Sequence, residues 1–179
     1  METAVGARRA RGPLLWAAFG TGLFAGLMVT FIGIIDRVLA GLAAPEYVRV
    51  MQGLIKAADI PPVAPAPIMI GLIAGGIAAW RLRRGGGSAY RLALAGFLVL
   101  LLGAFVVTMA GNLPLNMAIL KWDPAAPPAD WAAARDRWHN FSIVRTAASV
   151  ASFVCFLLAL ARTSASPADT MGAGEEPSR

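Results

Sequence analysis

Four apolar runs, residues 14–35, 64–80, 92–112 and 143–161, leave this chain few ways to fold. A helix crosses the roughly 30 Å hydrocarbon layer with about 20 residues, and each run approaches or exceeds that length. The second is shortest and opens among Pro65 and Pro67, so its start is the least sharply marked. Backbone groups in lipid must bond within their own segment, and the runs lack the alternation of barrel strands. Composition agrees: 58% of residues are hydrophobic, 15% are charged and the mean hydropathy is +0.64. The expected fold is all-α, an integral membrane four-helix bundle in a domain spanning residues 13–162. Residues 1–12 read as a cytoplasmic tail and 163–179 as a disordered one, since both are polar or small-residue stretches without periodicity.

A net charge of +6 and a pI near 10.7 do not imply nucleic acid as a partner, because the cations form no aromatic-interleaved patch. They gather beside the apolar runs. Arg8, Arg9 and Arg11 precede the first, and Arg81, Arg83, Arg84 and Arg91 crowd the loop between the second and third. Positively charged loops stay in the cytoplasm, which places both termini there; enrichment in alanine, glycine and arginine suits a multi-pass protein of a bacterial cell inner membrane, with the endoplasmic reticulum as the alternative. Loops one and three face outward; their cations are sparser and accompanied by acids. The first run is too long for a cleavable signal core and reads as a span. Cys155, the sole cysteine, lies inside the fourth run and excludes an internal disulfide.

In the first outer loop, Val48, Met51 and Ile55 share one helical face, as in an amphipathic helix on the bilayer or capping the bundle. IPPVAPAP then stops that helix short of the second span. Gly85 to Gly87 make the second loop a tight turn. Gly22 with Gly26 and Gly71 with Gly75 allow close helix approach, either within one bundle or, through Gly22 and Gly26, in a homo-oligomer.

The polar residues gather at one end. In GNLPLN, Asn112 and Asn116 project from one face around Pro114; they either glue helices together or line a ligand pocket. After Asp130 nothing from Trp131 to Ala161 is glycine or proline, so one long fourth helix extends out of the bilayer. Along it Trp131, Arg135, Trp138, Ser142 and Arg145 form a stripe. The tryptophans mark either the membrane interface or a pocket wall. Arg145 is costly at the start of a span unless it snorkels, is bonded, or meets a ligand. His139, the only histidine, is the side chain best suited to move a proton near neutral pH, or else an inert surface group. Metal ligation has no supporting spacing.

Phe24-Ala25-Gly26 in span one, Met51-Gln52 in the first outer loop, Asn112, Pro114 and Asn116 closing span three, and Trp131, Trp138 and Arg145 entering span four together resemble the anthrone oxygenase family. The family pattern commonly carries asparagine or histidine where this chain has Ser142. The resemblance implies oxidation of a lipophilic aromatic, an anthrone, without metal or flavin, so no cofactor is expected. As a hypothesis for that chemistry, His139 is the base, Arg145, Asn112 and Asn116 are catalytic donors, and Trp131, Trp138, Ser142 and Gln52 are substrate-binding groups. The competing expectation is a non-catalytic bundle that binds a hydrophobic ligand or serves as an accessory subunit. A transporter is disfavoured, because no acid lies mid-span.

Overall fold

The structure, a computed structural model, describes residues 2–58 and 65–164. Helix α1 (Glu2–Thr30) passes through a π-helical turn, Phe31–Ile35, into α2 (Asp36–Ala40). A short helix, α3 (Ala44–Ala58), follows, then α4 (Pro65–Leu82) and α5 (Gly87–Val99). The α5 rod continues through two π-helical segments, Leu100–Val106 and Thr108–Asn112, into α6 (Leu113–Ile119). The last helix, α7 (Trp131–Ser164), has 34 residues and is about 50 Å long. Four rods, Arg8–Ala40, Pro65–Leu82, Gly87–Ile119 and Trp131–Thr163, are long and apolar enough to cross a membrane. No strand occurs among the described residues, so the all-α four-helix expectation holds.

The rods pack with α1 against α4 and α7, and α5 against α7 and α4. Small residues set the spacing. A Cβ on Gly20 would stand 2.6 Å from the Pro67 carbonyl, and one on Gly71 would stand 2.5 Å from Thr21 Oγ1. Gly22 and Gly75 make room for the rings of Phe153 and Phe156, whereas Gly26 has nothing near it. Gly22 is thus spent inside the bundle. Outward faces are apolar, with Trp16, Ile73, Trp80 and Leu102 all exposed, as lipid-facing surfaces require. The buried stripe of α7 continues from Trp138, Ser142 and Arg145 through Ser149, Ser152, Phe156 and Ala159. Ser152 Oγ donates to the Gly96 carbonyl at 2.7 Å, tying α7 to α5.

At the end opposite the α4–α5 turn, α3 closes the bundle. Val48, Met51 and Ile55 are buried together with Leu39, Ile119 and Trp138, so the amphipathic helix caps the protein interior.

Three local features differ from expectation. Residues 2–12 are helical and continuous with the first span: Ala10 is fully buried, and Arg81 donates to the Arg9 carbonyl at 2.6 Å. Charge and lack of periodicity conceal a helix extension that packs at its end. The third rod does not stop at GNLPLN but runs to Ile119. Pro114 is accommodated because it falls just after the π-helical segment, in the first turn of α6, where a missing N–H costs little. The second span extends to Leu82, beyond Trp80. Most of IPPVAPAP and the tail from residue 165 lie outside the described residues.

Candidate functional site

Ser142 is the node of the polar site. One helical step separates it from Trp138 and nearly one from Arg145, so all three point inward from α7, and all are buried. Asn112 arrives from the opposite rod, carried by the π-helical segment Thr108–Asn112. Its Nδ2 donates to Ser142 Oγ at 3.1 Å and to the Trp138 carbonyl at 3.2 Å. The carbonyl contact fixes which end of the amide is nitrogen, since a carbonyl cannot accept from Oδ1. Arg145 Nη2 also donates to Ser142 Oγ, at a long 3.4 Å, and its guanidinium lies 5.5 Å from the centre of the Trp138 ring.

Two hydrogen-bonding functions at this node remain unanswered among the described residues. Asn112 Oδ1 is buried without a donor, and Arg145 Nε is buried without an acceptor. Ser142 Oγ receives two donors. Buried polar groups are normally satisfied. Among the described residues, no carboxylate pairs with Arg145. Asn112 Oδ1 is an acceptor and Arg145 Nε a donor, and both side chains reach Ser142 Oγ through their nitrogens Nδ2 and Nη2.

Trp138 roofs this node. Its Nε1 donates to Asn116 Oδ1 at 2.7 Å, and its ring meets Phe31, centroids 5.2 Å apart. Phe31 belongs to the first π-helical turn, so wide turns on both neighbouring rods supply groups to the site. Widened turns re-aim side chains that a regular helix would direct elsewhere.

His139 is not at the node. It sits on the next face of α7, where Nδ1 meets Asp36 Oδ2 at 2.6 Å; the side chains are 38% and 15% exposed. An Nδ1–H donated to that carboxylate leaves Nε2 with its lone pair. Asp36 was legible only as one of several outer acids, because its partner lies 103 residues away in sequence. Beside it Tyr47 is buried against Trp131, ring centroids 5.5 Å apart. Burial pushes the Tyr47 phenol up to about 12, with Arg135 opposing and Asp36 and Asp136 assisting.

Trp131 lies nearer the helix end, under the Arg135 guanidinium at 5.2 Å, and Arg135 pairs with Asp136 at 3.1 Å. Gln52 stands apart too. Its Nε2 donates to the Ile119 and Trp122 carbonyls, both at 2.9 Å, closing the C-terminus of α6 as a side-chain cap does. The structure therefore joins Asn112, Asn116, Trp138, Ser142 and Arg145, and separates from them Gln52, Trp131 and His139. No group of three or more His, Cys, Asp or Glu side chains is placed to hold a metal among the described residues.

Comparison with curated proteins and with solved structures finds no match. A family model does match, over residues 57–155, more than half of the chain and a stretch that holds every residue of the node. By that match the chain belongs to the anthrone oxygenase family.

Proposed function

We propose that this membrane protein oxidises a lipophilic aromatic of the anthrone type, with the substrate's oxygen at the Asn112–Ser142–Arg145 node. The observation that carries the reading is the buried guanidinium of Arg145, whose Nε has no acceptor among the described residues, on a side chain joined through Ser142 to Asn112, whose Oδ1 is likewise unanswered. A fold gains nothing from keeping such a charge unpaired. A hydroxyaryl ketone would satisfy both groups: its carbonyl oxygen accepts from Arg145 and its neighbouring phenol donates to Asn112.

The chemistry asks little beyond this. An anthrone carries an acidic methylene opposite its carbonyl. Removing that proton leaves the bonding electron pair in the rings as an enolate, and the charge on oxygen is what Arg145 would stabilise. The enolate carbon then bonds dioxygen and, after protonation, gives a hydroperoxide. Loss of water yields the quinone, so one anthrone and one dioxygen give one anthraquinone and one water. His139 takes the proton in this reading, through the Nε2 that Asp36 leaves free. Six residues of α7 separate His139 from Arg145, about 9 Å along the axis; since the methylene and carbonyl of an anthrone face each other across its central ring, that span has to hold one ring width plus a contact at either side. Trp138, whose ring already meets the Arg145 guanidinium, would supply an aromatic face to the ring system, and Trp131 a second one nearer the start of α7.

The separation of His139 from the node favours a second reading, in which the bundle binds such an aromatic without turning it over or serves as an accessory subunit. Oxygen uptake by purified protein with emodin anthrone distinguishes the two. Turnover above the spontaneous rate, lost in Arg145→Met, supports the oxygenase. An unchanged spontaneous rate together with saturable binding supports the binder. The arginine distribution further suggests that both termini are cytoplasmic, which reporter fusions at the C-terminus test.

A further inference from the structure

The arginine-rich end of the bundle, remote from the node, carries a groove of about 220 Å³ between α4 and α5. Its floor is Gly76 and Ala79, its apolar wall Leu94 and Phe97, and its rim Arg83 and Tyr90. Gly76 keeps the floor open, because a Cβ there would already reach within 3.4 Å of the Phe97 ring. The groove opens on the lipid-facing surface, where Ile73, Ile77, Trp80 and Leu98 are exposed.

Its electrostatics are one-sided. Arg83 lies over the Trp80 ring at 5.3 Å, which holds the guanidinium at the groove mouth. From Arg81 to Phe97 the chain has four arginines and no acid. Arg81 is engaged with the Arg9 carbonyl, but no carboxylate among the described residues pairs with Arg83, Arg84 or Arg91. The α5 helix starts at Gly87 without a side-chain cap, and Tyr90 of its first turn lines the groove, so the positive helix end lies within one turn of the rim. An apolar channel reaching into the hydrocarbon, topped by unpaired guanidinium groups at the interface, complements a molecule with an acyl chain and an anionic head.

We propose that this groove seats one anionic phospholipid, its phosphate on Arg83 and the N-terminus of α5, and an acyl chain along Gly76, Leu94 and Phe97. The site does not depend on the reaction proposed for the opposite end. A lipid there would tie α4 to α5 where the tight glycine turn leaves few side chains to do so.

Native mass spectrometry of the full chain in mild detergent, equilibrated with dioleoylphosphatidylglycerol or dioleoylphosphatidylcholine, tests the assignment. One phosphatidylglycerol per chain is expected, held about fivefold or more tightly than phosphatidylcholine. Arg83→Gln, an exposed change that leaves the core untouched, should weaken it about fivefold, the share of one interfacial cation. Gly76→Leu should expel both lipids by filling the floor, while Arg8→Gln, outside the groove, should change nothing. Equal retention of the two lipids, or an Arg8→Gln loss as large as that of Arg83→Gln, would overturn the proposal. So would an adduct unaffected by Arg83→Gln, or one displaced by excess inorganic phosphate.

Discussion

Replacing Arg145 with methionine separates a stored functional charge from a structural one. Arg145 is 9% exposed; its guanidinium has one 3.4 Å hydrogen bond and lies 5.5 Å from the Trp138 ring centre. Holding a cation within a spanning helix costs about 2.5 to 3.5 kcal/mol. Against that, the ring contact returns about 1 kcal/mol, and a hydrogen bond at the long limit returns less than about 1 kcal/mol. Arg145→Met removes all three and fills similar volume with an apolar chain. The expected outcome is a protein as stable as the parent or more stable by about 1 kcal/mol, read by thermal unfolding in detergent. Removing an oxyanion donor lowers kcat by about a hundredfold or more, so oxygen uptake with emodin anthrone should fall to near the spontaneous rate. Unchanged turnover accompanied by a loss of more than about 2 kcal/mol would refute the reasoning, since Arg145 would then be holding the fold.

Asp36→Asn should leave stability within about 0.5 kcal/mol, as expected for a partly exposed pair, yet shift the tautomer balance of His139. Nitrogen-15 NMR reads this without assignment because the chain has one histidine, and turnover should drop about tenfold or more if that histidine is the base. Gly20→Ala places a methyl against backbone atoms of Pro67 and Gly71 and should cost about 1–3 kcal/mol. Gly26→Ala, with open space around it, should be neutral or slightly stabilising on a denaturation curve, and unchanged oligomeric state would remove Gly26 from any dimer contact. Tyr47 has a folded-state pKa raised from 10 to about 12, so its stabilisation is intact below pH 10 and is lost as pH climbs toward 12. The loss should reach about 2–3 kcal/mol. Alkaline unfolding of Tyr47→Phe should lack that component.

The fold was largely legible because span length and hydropathy are local properties. Val48, Met51 and Ile55 announced the capping face of α3 by spacing alone, and the Trp138–Ser142–Arg145 stripe announced the inward face of α7 in the same way. What escaped was information carried by pairs distant in sequence. Nothing around Gln52 reveals that it closes the end of α6, and nothing around Asp36 points to His139. The helical extension before Leu14 escaped for a related reason: its support is Arg81, on another rod. Asn112 was visible as an oddity, but its unanswered Oδ1 exists only once Ser142 and Trp138 stand opposite it. Pro114 misled because proline usually ends a helix, whereas here a widened turn absorbs it.

That widened turn gives the site an address counted in residues. A π-helical segment inserts a residue into the helical count and so turns everything beyond it by about 100° relative to an uninterrupted rod. Deleting one residue from Thr108–Asn112 would leave the hydropathy and length of the span nearly unchanged, yet rotate Asn116 away from Trp138 and toward lipid. The protein's polar chemistry is thus indexed by an offset that no composition-based description of the span contains, and single-residue indels there should act as severely as substitutions at the node.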